Sequence, residues 1–340
     1  MKDDVGNTRD FSTVHTNTSS LLGGPQTLTI EDVASMAGAT IEEVRDFWVA
    51  MGFPSPRSEE KVFTENDAKL FLQWSTFMAS GAIDTATARS LLRANSHLAD
   101  RLGLWQVEAL VEDTMRRFGL DDTAARMYVL DHIRERVDVL EDVLRHSWRR
   151  QLDALLKRMD HEISTRGHEG LQPRFPLNRS LGFVDMVSYT SSSAILGGKL
   201  VDLIGRFEQL SRDAVTDAGG RVVKMIGDAV MYIADDLETG LRVAVSLIEQ
   251  LGADDQMLPV RASFVRGDVF SRSGDVFGPT VNLASRLVDI APVGKILMDP
   301  TTAAAIAAGK AGMEYDVEEF PSATLRGFGT ISPYLLTYRR

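Results

Sequence analysis

"RVVKMIGDAVMY", residues 221–232, sets Lys224 and Asp228 four positions apart in an otherwise largely apolar stretch, with Gly227 directly before the acid. Val222, Val223, Met225, Ile226, Val230, Met231 and Tyr232 have the β-branched and aromatic content of strand, and Gly-Asp between them suits a tight hairpin turn. Charges inside such a segment need partners, because burying an unpaired one is costly. Taken alone, the stretch reads most simply as a turn aspartate and a solvated edge lysine. What surrounds it decides otherwise.

Downstream of residue 176, strands alternate with helices. "RSLGFVDMVSYT" (179–190) reads as strand, "GKLVDLIGRFEQLSRDAVTDAGG" (198–220) as a helix closed by Gly219 and Gly220, and the opening stretch as a hairpin. A helix over 238–253, a long strand over 258–272 and a third helix over 280–291 follow. The order β, α, β, β, α, β is that of a ferredoxin-like α+β core.

Upstream the character differs. Residues 1–26 are rich in Ser, Thr, Asn and Asp without periodicity, the composition of a disordered arm. From 27 to 165 apolar residues recur at helical spacing, with Thr29 and Thr40 where N-caps would stand. This predicts an all-α domain ending in the long segment "LEDVLRHSWRRQLDALLKRMDHEIST" (140–165). "RGHEGLQPRFP", 166–176, breaks the pattern as a linker, and 177–340 forms the second domain.

Composition limits the function classes. The chain is 340 residues long, 44% hydrophobic and 25% charged, with a formal net charge of −11. That charge argues against non-specific binding to nucleic acid or anionic membrane. No cysteine is present, which excludes disulfides, thiolate metal sites and cysteine nucleophiles. The polar start lacks the apolar stretch of a secretion signal, and no apolar run has the length of a membrane span. The expectation is a soluble cytoplasmic protein.

Three motifs carry the chemistry: "GFVDMV" with Asp185, "KMIGDAVM" with Lys224 and Asp228, and "GDVFGPTVNLASR" with Asp275, Asn282 and Arg286. Together, in this order and in these contexts, they resemble the signature of class III nucleotide cyclases over roughly 177–340. The resemblance implies attack of a ribose 3′-hydroxyl on the α-phosphorus of a nucleoside triphosphate, with pyrophosphate leaving. Two divalent cations, Mg²⁺ or Mn²⁺, roughly 3.5–4 Å apart suit that reaction, and such hard ions want carboxylates plus phosphate oxygens. In this family the acids at Asp185 and Asp228 hold them.

The resemblance further implies that Lys224 and Asp275 read the purine, an ammonium donating to adenine N1 and a carboxylate accepting from the exocyclic amine, which predicts ATP. Asn282 would orient the ribose, and Arg286, four residues on and on the same helix face, would meet phosphoryl charge. "MVSYTSSSAILGGK", 186–199, runs from strand into helix, where backbone N–H groups can cradle a triphosphate, with Ser191 and Ser192 as the phosphate-binding candidates. Ser188 and Tyr189 stand where the family usually has Gly and Phe. Near the C-terminus, Arg326 in "TLRGFGTISPYLL" is a further phosphate candidate, and Phe328 occupies the place of a second basic residue. The family's cleft lies between two catalytic domains, so a chain with one copy of all six residues implies a homodimer with two composite sites.

The helical half resembles the regulatory domain of soluble actinobacterial cyclases, some of which respond to pH. His132, His146 and His161 are 14 and 15 positions apart and would share one side of a continuous helix, where they could sense protons; read singly, each is an ordinary surface histidine. A small regulatory ligand for this domain is the other expectation. The segment from Thr29 to Leu72 also resembles the helix-turn-helix opening of MerR-type regulators, yet it holds nine acids against four bases, the wrong balance for a DNA groove. A guanylate cyclase, a silent cyclase-like scaffold and a DNA-binding regulator remain the alternatives, separable by substrate competition, turnover and salt-dependent DNA retention.

Overall fold

Three Thr-x-x-acid patterns start three successive helices of the first hundred residues. Thr29 with Asp32, Thr40 with Glu43 and Thr64 with Asp67 each form a capping box, the hydroxyl accepting from the third helical N–H while the carboxylate accepts from the threonine N–H. The computed structural model describes residues 12–166, 177–187, 189, 199–272, 274–309 and 314–338. It divides into two units, Met1–Gly167 and His168–Arg340.

The first unit contains α1 (Ser12–Leu21), α2 (Ile30–Ala37), α3 (Ile41–Ala50), α4 (Glu65–Ala79), α5 (Thr85–Phe118), α6 (Asp122–His132) and α7 (Arg134–Arg166). Ile30, Val33, Val44, Phe47, Phe63 and Phe71 form a core among α2, α3 and α4. The segment between α3 and α4 makes an isolated antiparallel bridge, Phe63 to Leu28.

Two expectations change here. The expected disordered arm is helical from Ser12 onward, because Asn17 is buried and donates from Nδ2 to the Leu130 carbonyl at 2.6 Å; residues 1–11 lie outside the described residues. The helix expected to align three histidines is interrupted at Ile133, so His132 closes α6 while His146 lies within α7. The His161 side chain lies outside the described residues.

The second unit runs β1 (Leu177–Met186), α8 (Lys199–Asp217), β2 (Arg221–Ile226), β3 (Ala229–Ala234), α9 (Leu237–Gly252), β4 (Val260–Arg272), β5 (Asp275–Phe277) and α10 (Pro279–Ile290). Then come β6 (Ile296–Met298), α11 (Pro300–Ala308), β7 (Tyr315–Glu319), β8 (Ala323–Leu325), β9 (Gly329–Ile331) and β10 (Tyr334–Tyr338). The sheet order is β2-β3-β1-β4-β6-β10-β7, with β5 paired to β4 and β8-β9 a separate hairpin. Its first four strands have the antiparallel ferredoxin-like order. Apolar residues of α8, α9 and α11 pack on one face of the sheet, and those of α10 and the β8-β9 hairpin on the other.

Gly182 lies in β1 where the chain has no room for a side chain. A Cβ there would collide with the Ser263 carbonyl oxygen, which also accepts the Tyr232 hydroxyl at 3.0 Å. Gly182→Ala is expected to cost about 3 kcal/mol or more, the upper range for overpacking a core, read as a lowered urea midpoint for the second unit.

Candidate active site

The β2-β3 hairpin turns on Gly227 and Asp228, with Ile226 paired to Ala229 and Gly227 at φ +60°, a left-handed backbone that glycine adopts at no steric cost. Asp185, next to last in β1, is in register with Ala229. The Met186 N–H donates to the Asp228 carbonyl at 3.0 Å. Asp185 and Asp228 therefore stand at one end of neighbouring strands.

Asp185 is only 18% exposed and is held by Arg261, its in-register partner on β4. Arg261 donates from Nε at 3.0 Å and Nη2 at 2.8 Å, both to Oδ2 of Asp185, and from Nη1 at 2.6 Å to the Asp289 carbonyl in the last turn of α10. Burial pushes the Asp185 carboxyl above its ordinary range; Arg261 opposes this, while the charges of Asp228 and Asp289 add to the rise. A largely buried carboxylate with a second acid at the adjoining hairpin turn is a suitable donor pair for a hard divalent cation. Among the described residues no group of three or more His, Cys, Asp or Glu could hold one. A cation on this pair would draw its remaining oxygens from substrate phosphate and water.

Lys224, on β2, reaches Asp275 at the start of β5: Nζ to Oδ2 is 2.6 Å, with the two side chains 38% and 30% exposed. The other oxygen of Asp275 accepts from the Val276 N–H at 2.8 Å. Residues 51 positions apart in the sequence thus form one donor-acceptor pair.

α10 begins with Pro279 at its first turn and buries Ala284, Leu287 and Val288 against the sheet. Asn282 and Arg286 fall on its exposed side. Arg286 has a long contact to Asp289 at 3.5 Å. Among the described residues no hydrogen bond or ion pair joins Asn282 or Arg286 to Asp185, Asp228, Lys224 or Asp275.

The phosphate candidates fare differently. Ser191 and Ser192 lie outside the described residues, as does Ser188. Arg326 is exposed in the β8-β9 turn, and Phe328 packs into the core under α10; among the described residues no hydrogen bond or ion pair joins Arg326 to Asp185, Asp228, Lys224 or Asp275. A cavity of about 660 Å³ lies at the opposite sheet edge, lined by Val245, Lys295, Tyr315 and Leu336 among others, and contains none of the sequence-predicted site residues. Sequence reasoning missed Arg261, whose signal was a lone cation opening the apolar run "VRASFV".

Residues 178–338 match the family described as the adenylate and guanylate cyclase catalytic domain. An adenylate cyclase of Glutamicibacter nicotianae is 37% identical over 326 residues, covering 93% of this chain and 80% of that protein. An adenylate cyclase of Streptomyces coelicolor is 32% identical over 345 residues, covering 94% and 88%. A pH-sensitive adenylate cyclase of Mycobacterium tuberculosis is 34% identical over 120 residues, 35% of this chain and 30% of that one. Similarity to two adenylate cyclases extends through the helical region as well as the catalytic unit, and on that ground the chain belongs to the class III adenylate cyclase family.

Proposed function

We propose that this enzyme converts ATP to 3′,5′-cyclic AMP and pyrophosphate at two composite sites of a homodimer, with Asp185 and Asp228 as the ligands of two divalent cations. The observation that carries the choice of ATP is the 2.6 Å Lys224–Asp275 pair. A fixed ammonium and a fixed carboxylate match the acceptor N1 and donor amine of adenine, and meet guanine's reversed pattern with two mismatches. Mg²⁺ or Mn²⁺ supplies charge stabilisation at the attacking and leaving oxygens. Asn282 orients the ribose, and the Arg286 guanidinium neutralises phosphoryl charge as it develops. Backbone N–H groups after β1, with Ser191 and Ser192, cradle the triphosphate; Arg326 is held in reserve for the same charge.

Two features favour a second copy as the completing partner. Phe270 and Phe277 are cross-strand partners beside Asp275 and remain 43% and 50% exposed. On α7, Leu144, Trp148, Leu152, Leu155, Met159 and Ile163 recur every three or four residues, all exposed, as one apolar stripe. The DNA-regulator alternative is disfavoured by α3, the second helix of the helix-turn-helix, where Glu42, Glu43 and Asp46 outnumber Arg45. Among the described residues no helix is long and apolar enough to cross a membrane.

The helical unit regulates the catalytic one, and protons are the proposed signal. His132 sits at the break between α6 and α7, stacked on Tyr128 at 4.1 Å, with Arg136 donating to its carbonyl at 2.9 Å. Protonating His132 adds charge beside Arg136 at the joint. The test is product formation from ATP and GTP with Mn²⁺ or Mg²⁺ between about pH 5 and 8. Cyclic AMP with a pH profile that flattens in His132→Ala is expected. Cyclic GMP as the main product would sink the substrate reading, and an unchanged profile would sink the role of His132.

A further inference from the structure

We propose that the helical unit carries a binding site for an amphipathic organic cation, an ammonium on an aromatic or alkyl body, in the cleft among α3, α4 and α5. The cleft is a cavity of about 410 Å³ lined by residues of all three helices. That size falls within the roughly 300–1,000 Å³ of small-molecule sites. Phe47 and Phe71 meet there edge to face at 5.3 Å, and Trp74 lies tilted at 6.3 Å from Phe47, so neither pair is stacked face to face. Ring faces carry the negative part of the aromatic quadrupole and attract a desolvated ammonium, tryptophan most strongly. His132 lines no part of the cavity, nor does any residue assigned to ATP, so the inference stands apart from both of those readings.

The mouth of the cleft decides the sign of the ligand's charge. Phe47 and Phe71 are buried, whereas Glu43 and Asp46 on α3 and Arg89 on α5 also line the cavity and are exposed. An apolar floor under a charged mouth suits a molecule with an apolar body and one polar head. Arg89 donates from Nη2 to Oδ2 of Asp46 at 2.9 Å, which sets one cation against one anion. Glu43 is the surplus. Its Oε2 accepts from the Thr40 N–H and hydroxyl, each at 2.8 Å, and these bonds hold its carboxyl below the ordinary range and keep it charged. Oε1 of Glu43 and Oδ1 of Asp46 have no partner among the described residues. A ligand ammonium thus finds two open acceptors beside three rings. A carboxylate would have to draw Arg89 from Asp46 and then sit against Glu43. The small ligand expected for this unit thereby gains a chemical class.

The test is isothermal titration calorimetry on the full chain with three probes that share one body and differ in charge: phenylbutylamine, phenylbutanol and phenylbutyrate. The amine is expected to bind about 10-fold tighter than the alcohol or better, and the carboxylate to bind weakest. Glu43→Gln with Asp46→Asn removes both anions and keeps the capping box, which glutamine also closes. That double variant should lower amine affinity about 10-fold, to the level of the alcohol, and raise that of the carboxylate. Ala79→Leu grows a side chain into the cavity from the exposed last residue of α4 and should weaken amine binding about 10-fold, with the melting temperature kept. Should that variant not fold, the double variant, whose two positions are exposed, carries the comparison. Equal binding of the three probes would overturn the proposal by showing an apolar cleft that does not read charge. Tightest binding of the carboxylate would overturn it in favour of Arg89 as the recognising group. No binding of the amine, or an unchanged amine affinity in a folded Ala79→Leu chain, would remove the site from this cleft.

Discussion

Asp185→Ala and Arg286→Ala chains, each nearly silent alone, are expected to recover about a quarter of wild-type cyclase activity when co-expressed in equal amounts. Losing a cation ligand, or the cation that meets transition-state charge, should each cost roughly 10²- to 10³-fold in kcat. In a homodimer of either variant both sites carry the lesion. In the mixed dimer, one site takes Asp185 from the Arg286→Ala chain and Arg286 from the Asp185→Ala chain, and is complete; the other lacks both. Random pairing makes half of the dimers mixed, each with one working site of two, which sets the ceiling. The reason to expect complementation lies in the geometry of α10: Arg286 and Asn282 sit on its exposed side, while its buried side faces the sheet that carries Asp185. An Arg286 that served its own chain's Asp185 would give a mixture no better than the average of its parts. Cyclic AMP quantified by chromatography, with dimer exchange checked by two affinity tags, distinguishes the two.

What could be read from sequence was what local pattern encodes. Gly227-Asp228 between two β-rich runs specified the hairpin and its turn, and the ferredoxin-like strand order followed from the succession of elements. The pairing of Lys224 with Asp275 needed more, since nothing local links positions 51 apart; it came from the family resemblance, and the structure puts the atoms at 2.6 Å. Arg261 escaped for the converse reason: its meaning depends on cross-strand register with Asp185, and one strand read alone shows only an arginine at its edge. The same holds at the N-terminus, where α1 has no amphipathic signal of its own and one long-range hydrogen bond, Asn17 to Leu130, ties it down. The histidine alignment failed at Ile133, where neither Gly nor Pro marks the end of α6.

Replacing Lys224 by Ala should cost ATP turnover roughly 10- to 100-fold in kcat/KM and at the same time erase most of the preference for ATP over GTP. On the proposed reading the lysine does two things at the base: it donates to N1 of adenine, and it repels guanine, whose N1 carries a proton and so meets an ammonium donor with a donor. Removing it therefore lowers the reading of the right base and lifts the penalty on the wrong one, which moves the ratio further than either rate alone. The pair is partly exposed, so its mutual attraction without substrate contributes little to folding. Melting temperature should consequently stay near wild type, separating a reading defect from a folding one. Asp275→Asn completes a cycle: its amide can donate where the carboxylate accepts, so it should lose ATP by a similar factor. The double variant should lose less than the product of the two singles, because a Lys224 ammonium without Asp275, or the reverse, is an unpaired charge facing the base. If each single variant kept wild-type discrimination between ATP and GTP, the 2.6 Å pair would be a surface ion pair and the base would be read elsewhere.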